Sequence, residues 1–247
     1  MTEPPFAPTA RFAAPGQQAA TPWQSATVVS VLAETRTART IRLAPEAPVP
    51  HLPGQHYVVR LTAEDGYTAS RSYSVASAPD ASGEIELTVE LLPDGEVSPF
   101  LHEVLEPGDV LEVRGPLGRW FTWDGSSPAL LVGGGSGVVP LMAMLRTARA
   151  TGTTDLVRLV VSVRTPDDLY YASEMTGPEV TVVHTRTTTP GDRRPAGRLS
   201  TADLGLVAPG TTVYLCGSGG FVEHSSALLL DLGVDAADVR VERFGPS

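Results

Sequence analysis

Cysteine is nearly absent from this 247-residue sequence, which contains only Cys216. One thiol cannot build an intramolecular disulfide framework, and it cannot hold an iron–sulfur cluster that needs four cysteines. The chain is therefore not expected to carry its own one-electron relay. Any such relay is expected on another protein.

Lysine is absent altogether, so the 18 basic residues are all arginines, and 28 acidic residues outnumber them. The formal net charge of −10 disfavours binding to nucleic acid or to an anionic membrane, because both are themselves negative. We predict no partner of either kind. Docking of an acidic protein would need a local basic face, for which Arg36, Arg39 and Arg42 are the candidates.

The sequence also lacks an apolar run of about 18 residues, which a membrane helix needs, and its N-terminus lacks the pattern of a secretory signal. We expect a cytoplasmic protein and, by default, a monomer. Residues 1–22 are rich in proline, alanine and glutamine and are predicted to form a disordered tail. The five histidines have no metal-ligand spacing, so no metal site is predicted.

Short alternating strands occupy the first half of the chain. Six segments between about residues 25 and 115 alternate apolar and polar side chains, with turn residues between them. They predict an antiparallel six-stranded Greek-key barrel in a domain over residues 23–125. A short helix is expected within the stretch SPFLHEVLEPGD, with Ser98 as its N-cap and Pro99 in its first turn.

After Pro128 the pattern changes to buried strands that alternate with helices. The predicted helices are PLMAMLRTARA, DLYYASEM, STADLG and GFVEHSSALLLDLG. This alternation predicts an α/β domain over residues 126–247 with a five-stranded parallel sheet, which binds its ligand outside the carboxyl ends of the strands. The residues expected there are 133–137, 162–164, 185–186 and 216–219.

A glycine-rich loop, GGGSGVVP, follows the first of these strands. Gly134, Gly135, Ser136 and Gly137 would present backbone amides and a helix N-terminus to a pyrophosphate. Pro140 stands where the G-x-G-x-x-G fingerprint would have its last glycine, so that fingerprint is not met. Taken alone, the loop would equally suit a flexible turn.

The ends of the next two strands bear on the choice of nucleotide. Arg164 follows Ser162 and Val163 at the end of the second strand, and an arginine there can accommodate a 2′-phosphate. Arg186, after the third strand, offers the same chemistry. The pattern favours NADPH, although Asp167 or Asp168 would instead suit a ribose hydroxyl and NADH.

Six motifs, in this order along the chain, resemble the ferredoxin–NADP reductase family. They are PGQ at 53–55 with RSYS at 71–74, the loop 95–98, GPLG at 115–118, GGSGVVP at 134–140, YLCGSGGF at 214–221 and VERF at 241–244. The resemblance covers about residues 25–247. It implies a reductase that binds FAD and takes a hydride from NAD(P)H, with FMN as an open alternative.

The resemblance also implies roles for the residues that would hold the flavin. Arg71 would bind a flavin phosphate through its planar guanidinium. Tyr73 would lie along the ribityl chain and the ring, and the Ser74 hydroxyl would hydrogen-bond near flavin N5. The remaining residues of the predicted flavin set are Ser72, Gly95, Val97 and Ser98.

On the nucleotide side, the resemblance implies that Ser136 lies beside the nicotinamide, and that Cys216 and Gly217 flank the hydride path. Glu242 would be a polar neighbour of the flavin, and Phe244 would shield the ring face that the nicotinamide approaches. The predicted catalytic residues are Ser74, Cys216 and Glu242. A lone buried cysteine is just as often a small packing residue, so that role stays open for Cys216.

The resulting functional hypothesis is an electron-transfer reductase that serves a separate iron–sulfur protein, oxygenase or flavodoxin. Two alternatives remain at this point. One is a diaphorase that reduces free flavin, quinones or metal chelates. The other is a module that binds flavin or nucleotide without turnover.

Overall fold

The computed structural model describes residues 21–188, 191–192 and 194–245. Residues 1–20 of the predicted tail lie outside this range. Within it, the chain forms two sheets, one after the other. The predicted domain boundary near residue 125 stays a prediction; it falls between the last strand of the first sheet and the first strand of the second.

The first sheet is antiparallel and six-stranded, which confirms the prediction from the alternating pattern. Its strands are β1 (Gln24–Ala33), β2 (Ala38–Pro45), β3 (His56–Thr62), β4 (Thr68–Ser74), β5 (Ile85–Glu90) and β6 (Val110–Leu117), in the order β4–β3–β6–β1–β2–β5. A bridge between Val75, just after β4, and Leu87 on β5 brings the two outer strands together. Inward side chains such as Tyr57, Leu43 and Val113 form its buried core.

The helix α1 (Ser98–Glu103) follows β5, and its N-cap is Val97. The prediction of Ser98 as the N-cap is therefore wrong. Its buried hydroxyl accepts a hydrogen bond from the backbone nitrogen of Leu92 at 3.0 Å and lies 3.3 Å from the Leu92 carbonyl oxygen. The side chain is used to close the loop that precedes the helix rather than to cap the helix.

The second sheet is parallel and five-stranded, as predicted. Its elements are β7 (Ala129–Gly134), α2 (Val138–Thr151), β8 (Val157–Val163), β9 (Val180–His184), α3 (Thr201–Leu204), β10 (Thr212–Gly217), α4 (Gly219–Asp231) and β11 (Val239–Arg243), and the strand order is β11–β10–β7–β8–β9. The chain moves outward from β7 to β9 and then returns to β10 on the other side of β7. The carboxyl ends of β7 and β10 therefore form the topological switch point, where such sheets bind ligands.

The helix predicted for DLYYASEM does not form in this fully described segment. Residues 166–168 make a single 3-10 turn, and the residues that follow form further turns. Tyr171 has a φ of +53°, which no regular α-helix contains. Its hydroxyl oxygen lies 2.5 Å from Thr88 Oγ1 in the first sheet. A tertiary contact has overridden the local helical pattern here.

Tyr171 belongs to a polar network that joins the two sheets. Glu34, just after β1, accepts hydrogen bonds from the Tyr171 backbone nitrogen at 3.0 Å and from the Thr40 hydroxyl at 2.7 Å. The hydroxyls of Thr40 and Thr88 are 2.8 Å apart. Tyr171 is therefore held by its backbone and by its side chain at the same time.

Arg146 on α2 makes the second connection between the sheets. Its guanidinium binds Glu174 through two nitrogens at 2.5 and 3.0 Å, and it donates to Glu86 on β5 at 2.7 Å. It also donates to the carbonyl oxygen of Ala76 at 3.0 Å. One side chain thus links α2 to the strand ends of the antiparallel sheet.

Within the described ranges, no helix has the length and apolar character needed to cross a bilayer.

We expect Arg146→Met to lower the free energy of unfolding by about 2–3 kcal/mol, because it leaves the partly buried carboxylates of Glu86 and Glu174 without their cation. Urea denaturation followed by tryptophan fluorescence measures the change. The control is Arg60→Met, which removes an ion pair with Glu112 within the first sheet, where the two side chains are 30% and 44% exposed. A loss in the control equal to that in Arg146→Met would contradict the assignment of the connection to Arg146.

Candidate functional site

Strand β4 carries the RSYS motif at the edge of the barrel. Tyr73 is half-buried against the barrel core, and burial raises the pKa of its phenol to about 12, so the hydroxyl stays protonated. Ser74, at the end of the strand, is buried, whereas Ser72 and Arg71 are exposed. The motif therefore presents a flat ring and a cation on the same strand.

The guanidinium of Arg71 is already bound to an anion of the protein. Its Nη2 lies 3.0 Å from Glu96 Oε2, and its Nη1 donates to the carbonyl oxygen of Ser70 at 2.8 Å. Glu96 sits in the loop before α1, which is a tight turn: a Cβ on Gly95 would lie 2.9 Å from Ser98 Oγ. The structure thus brings the 95–98 loop to the RSYS strand, as the resemblance implies, and this position accepts a negative group.

The glycine loop after β7 lies against the end of β10. A Cβ on Gly137 would lie well inside contact distance of the Cys216 carbonyl oxygen, so only glycine permits this approach. Gly135 has a φ of +55° and open space around it. Ser162 is buried and pairs with Gly134 in the parallel ladder. These residues form a cradle of bare backbone at the switch point.

Pro140 is buried in the first turn of α2. A proline is favourable at the start of a helix because the backbone N–H that it lacks has no partner there. This accounts for a proline in place of the glycine of the dinucleotide fingerprint. The cofactor contact predicted for Pro140 stays a prediction.

Phe221 lies at the same place, and the sequence reasoning gave it no role. Its ring carbons would be 2.6 Å from a Cβ on Gly134 and 2.7 Å from a Cβ on Gly217. The ring is therefore stacked closely on both glycine-rich segments. Phe221 is the last residue of the YLCGSGGF motif, and this position could have marked it as a candidate site residue. Its contacts with particular glycines could not be predicted, because they depend on how α4 packs on the sheet.

Cys216 and Glu242 are neighbours in the register of β10 and β11. Cys216 is fully buried, and burial, with a further contribution from the Glu242 charge, raises the pKa of its thiol well above the usual value. Burial also raises the pKa of the Glu242 carboxyl to about 7. Near neutral pH the site therefore holds a neutral thiol and a carboxyl that can carry a proton.

Phe244 follows β11 and reaches the same cluster. Its backbone nitrogen donates to the Gly217 carbonyl oxygen at 2.9 Å, and its ring packs against the hydrophobic cluster that contains Cys216. Residues 246–247, which follow this segment, lie outside the described residues. Cys216, Gly217, Glu242 and Phe244 are thus brought together, as the resemblance implies.

Arg164 and Arg186 lie side by side at the carboxyl ends of β8 and β9. Both are exposed, and the Arg186 backbone nitrogen donates to the Arg164 carbonyl oxygen at 2.9 Å. Among the described residues, neither guanidinium has a carboxylate within 4.0 Å. The Asp168 carboxylate instead caps its own turn by accepting from the backbone and hydroxyl of Thr165. Asp167 is exposed.

The flavin motifs and the nucleotide loop meet at one hydrophobic cluster. Ala76, two residues after Ser74, packs in the same cluster as Val138 and Cys216. Gln55 of the PGQ motif donates from Nε2 to the Gly118 carbonyl oxygen at 2.8 Å, which ties this motif to the GPLG turn. The segment that follows the RSYS strand and the segment that follows the glycine loop therefore pack together at the junction of the two sheets.

The predicted basic face around Arg36, Arg39 and Arg42 is not supported at Arg42. Its Nε lies 3.2 Å from a Glu84 oxygen and 3.6 Å from a Glu86 oxygen, because β2 and β5 pair in a register that sets Arg42 opposite Glu86. The charge of Arg42 is compensated within the sheet.

Two family models match this chain. An oxidoreductase FAD-binding domain matches residues 26–122, and an oxidoreductase NAD-binding domain matches residues 131–227. The first range covers the antiparallel sheet, and the second contains β7 to β10 of the parallel sheet.

Curated proteins and solved structures give the same result. The chain is 30% identical to the ferredoxin–NAD(P)+ reductase component of the naphthalene 1,2-dioxygenase system of Pseudomonas putida, over 89% of this chain and 68% of that protein. It is 32% identical to the glycine betaine monooxygenase reductase subunit of Chromohalobacter salexigens, over 88% and 63%. The FAD/NAD-binding domain of nitric oxide dioxygenase from Vibrio cholerae superposes with a TM-score of 0.79 and 26% identity, over 90% and 99%.

We expect Glu242→Gln to remove a pH dependence of stability. Because folding raises the pKa of this carboxyl from 4.5 to about 7, the unfolded chain loses the proton at a lower pH than the folded chain. The free energy of unfolding of the native chain should fall relative to that of the variant as pH rises from 4.5 to about 7, and then stay level. The total fall is at most about 3 kcal/mol.

Urea titrations at several pH values between about 5 and about 8 measure this difference. Glu223→Gln, at an exposed position of α4, is the matched control. If the curves of the native chain and of Glu242→Gln run parallel, the carboxyl does not hold its proton in the folded state.

Proposed function

Because the chain belongs to the FAD- and NAD-binding oxidoreductases of the ferredoxin reductase type and is an NAD(P)H-dependent flavoprotein reductase, we propose that it takes a hydride from NADPH and passes electrons to a separate oxygenase or its ferredoxin. The observation that carries the proposal is that Ala76, two residues beyond β4, packs in one cluster with Val138, the residue after the glycine loop, and with Cys216.

The flavin would be held by the RSYS strand and by the 95–98 loop. Arg71 suits a phosphate, because a guanidinium binds phosphate oxygens through parallel hydrogen bonds. Tyr73 offers a ring that is already half-buried, so little side-chain freedom is lost when a flat ligand stacks on it. Ser74 and the amides near Val97 would supply further hydrogen bonds, with Ser72 and Gly95 in contact with the ligand.

The nucleotide would lie across the switch point. The cradle of Gly134, Gly135, Ser136 and Gly137 offers backbone N–H groups to the pyrophosphate. Ser162 borders this cradle. Arg164 and Arg186 would then bind a 2′-phosphate, which supports NADPH over NADH. The Asp168 carboxylate already accepts hydrogen bonds from the backbone nitrogen and the hydroxyl of Thr165. Asp167 is therefore the remaining candidate to bind a ribose hydroxyl.

A bound flavin accepts two electrons as a hydride and can release them one at a time. The contribution of the chain is to hold the reacting atoms about 3–3.5 Å apart in a cleft from which water is excluded. Phe244 would line that cleft with apolar surface, with Cys216 buried in the cluster against which it packs and Gly217 hydrogen-bonded to it. Glu242 would hold a proton near neutral pH, which avoids a buried negative charge where a hydride must pass.

The names of the relatives support the class of acceptor. The two curated relatives described above are reductase parts of a dioxygenase system and of a monooxygenase, and this chain spans about two thirds of each. The single buried cysteine leaves no four-cysteine cluster within these 247 residues, which favours an acceptor that carries the metal. A monomeric state and a cytoplasmic location stay predictions.

Anaerobic stopped-flow absorbance of the purified protein with NADPH, and separately with NADH, tests the proposal. Rapid bleaching of the flavin bands is expected from a reductase. Flavin that neither nucleotide bleaches would instead favour a binding module. Turnover with free flavin or quinones, but not with any oxygenase or ferredoxin, would favour a diaphorase.

Arg71→Ala should weaken the binding of FAD by about 10- to 100-fold, because it removes charge-assisted hydrogen bonds to the phosphate. Quenching of flavin fluorescence on titration into the apoprotein measures the dissociation constant. Arg60→Ala is the control. If Arg71→Ala purifies with a full complement of flavin, the role assigned to Arg71 is wrong.

Replacing Arg164 and Arg186 together with alanine should weaken NADPH about 10- to 100-fold and leave NADH nearly unchanged, because only NADPH carries the 2′-phosphate. The dependence of the bleaching rate on nucleotide concentration gives both affinities. Equal losses for the two nucleotides would point to a contact with the part that they share, and Asp167→Ala tests the alternative ribose contact.

A further inference from the structure

The carboxylate of Glu96 forms an ion pair with the Arg71 guanidinium, which the proposed function assigns to a flavin phosphate. Glu96 Oε2 lies 3.0 Å from Arg71 Nη2, while Arg71 Nη1 is engaged by the Ser70 carbonyl oxygen at 2.8 Å. A phosphate that binds this guanidinium through two parallel hydrogen bonds would have to displace Glu96 or lie directly beside it.

Glu96 is held in this position by a second contact. The Tyr67 hydroxyl donates to its other carboxylate oxygen at 2.5 Å. The hydrogen bonds from Tyr67 and then from Arg71 hold the pKa of the Glu96 carboxyl below its usual range, so the group is an anion at neutral pH. The loop 95–98 is anchored at its end, because Ser98 is buried and accepts a hydrogen bond from the backbone nitrogen of Leu92. The 95–98 loop thus carries its own negative charge, the Glu96 carboxylate, which competes with a phosphate for Arg71.

We propose that Glu96 is a specificity-determining residue that competes with the flavin phosphate for Arg71 and thereby favours FAD over FMN. This inference rests on the proposed function, since it takes Arg71 as the phosphate-binding residue. The phosphate of FMN is a terminal monoester and carries about −1.5 to −2 charges near pH 7. In FAD each phosphate is linked on two sides and carries a single negative charge. The repulsion between the Glu96 carboxylate and a phosphate increases with the negative charge on that phosphate. It is therefore stronger for FMN than for FAD.

The experiment compares the native chain with Glu96→Gln in the binding of riboflavin, FMN and FAD to the apoprotein, measured by fluorescence quenching. We expect FMN to bind about fivefold more tightly to the variant, FAD about twofold more tightly, and riboflavin with unchanged affinity. Glu96 is exposed, so the variant is expected to fold, and its thermal midpoint checks this.

Glu112→Gln is the matched control for the change in total charge. Glu112 pairs with Arg60 in the same sheet at 2.7 Å. Arg60 lies opposite Ser70 in the β3–β4 ladder, so its side chain points to the other face of the sheet from that of Arg71. This control should leave all three dissociation constants unchanged.

Four results would overturn the proposal for Glu96: no gain for FMN, an equal gain for FMN and FAD, an equal gain for riboflavin, or the same gain in Glu112→Gln. The Arg71→Ala titration separates such a failure from a failure of the proposed function. If Arg71→Ala loses flavin while Glu96→Gln changes nothing, only the role of Glu96 is wrong. If Arg71→Ala also binds FMN and FAD normally, the phosphate site itself is misassigned.

Discussion

The contacts of Arg146 and Tyr171 across the junction set the relative position of the two sheets. Hydride transfer requires the two reacting atoms to be held about 3–3.5 Å apart and aligned. Here the strand that presents Tyr73 and Ser74 belongs to one sheet, and the glycine loop belongs to the other. Because Arg146 binds Glu86, Glu174 and the Ala76 carbonyl oxygen together, the strand end and the helix α2 cannot shift independently.

Close backbone approach is the second feature that shapes the site. The loop after β7 can lie on the end of β10 only because Gly137 has no side chain to meet the Cys216 carbonyl oxygen. Phe221 then fills the space above Gly134 and Gly217. The glycines proposed to offer backbone amides to a pyrophosphate therefore also allow dense packing at the switch point. If the proposed site is right, cofactor binding and the stability of the parallel sheet depend on the same few positions.

Charge is distributed unevenly in this acidic chain, and the distribution matches the proposed chemistry. At the junction, Arg146 compensates the carboxylates of Glu86 and Glu174. Burial lets Glu242 keep a proton near neutral pH, which avoids an uncompensated charge beside Cys216. Arg164 and Arg186, in contrast, have no carboxylate partner among the described residues, as the proposed binding of a 2′-phosphate requires. Arg71 is intermediate between these two groups of charges. It is paired with Glu96, and a bound phosphate would have to compete with that carboxylate.

Both sheets and the glycine loop could be predicted from the sequence, because the spacing of apolar residues and the turn residues between them are local signals. Other features follow from contacts between distant parts of the chain. Tyr171 left its predicted helix for partners 83 and 137 positions away in the chain. Ser98 closes a loop instead of capping α1, and the contact of Phe221 with Gly134 depends on how α4 packs on the sheet. The ion pair of Glu96 with Arg71 likewise depends on the contact between the loop before α1 and β4, which no local sequence pattern predicts.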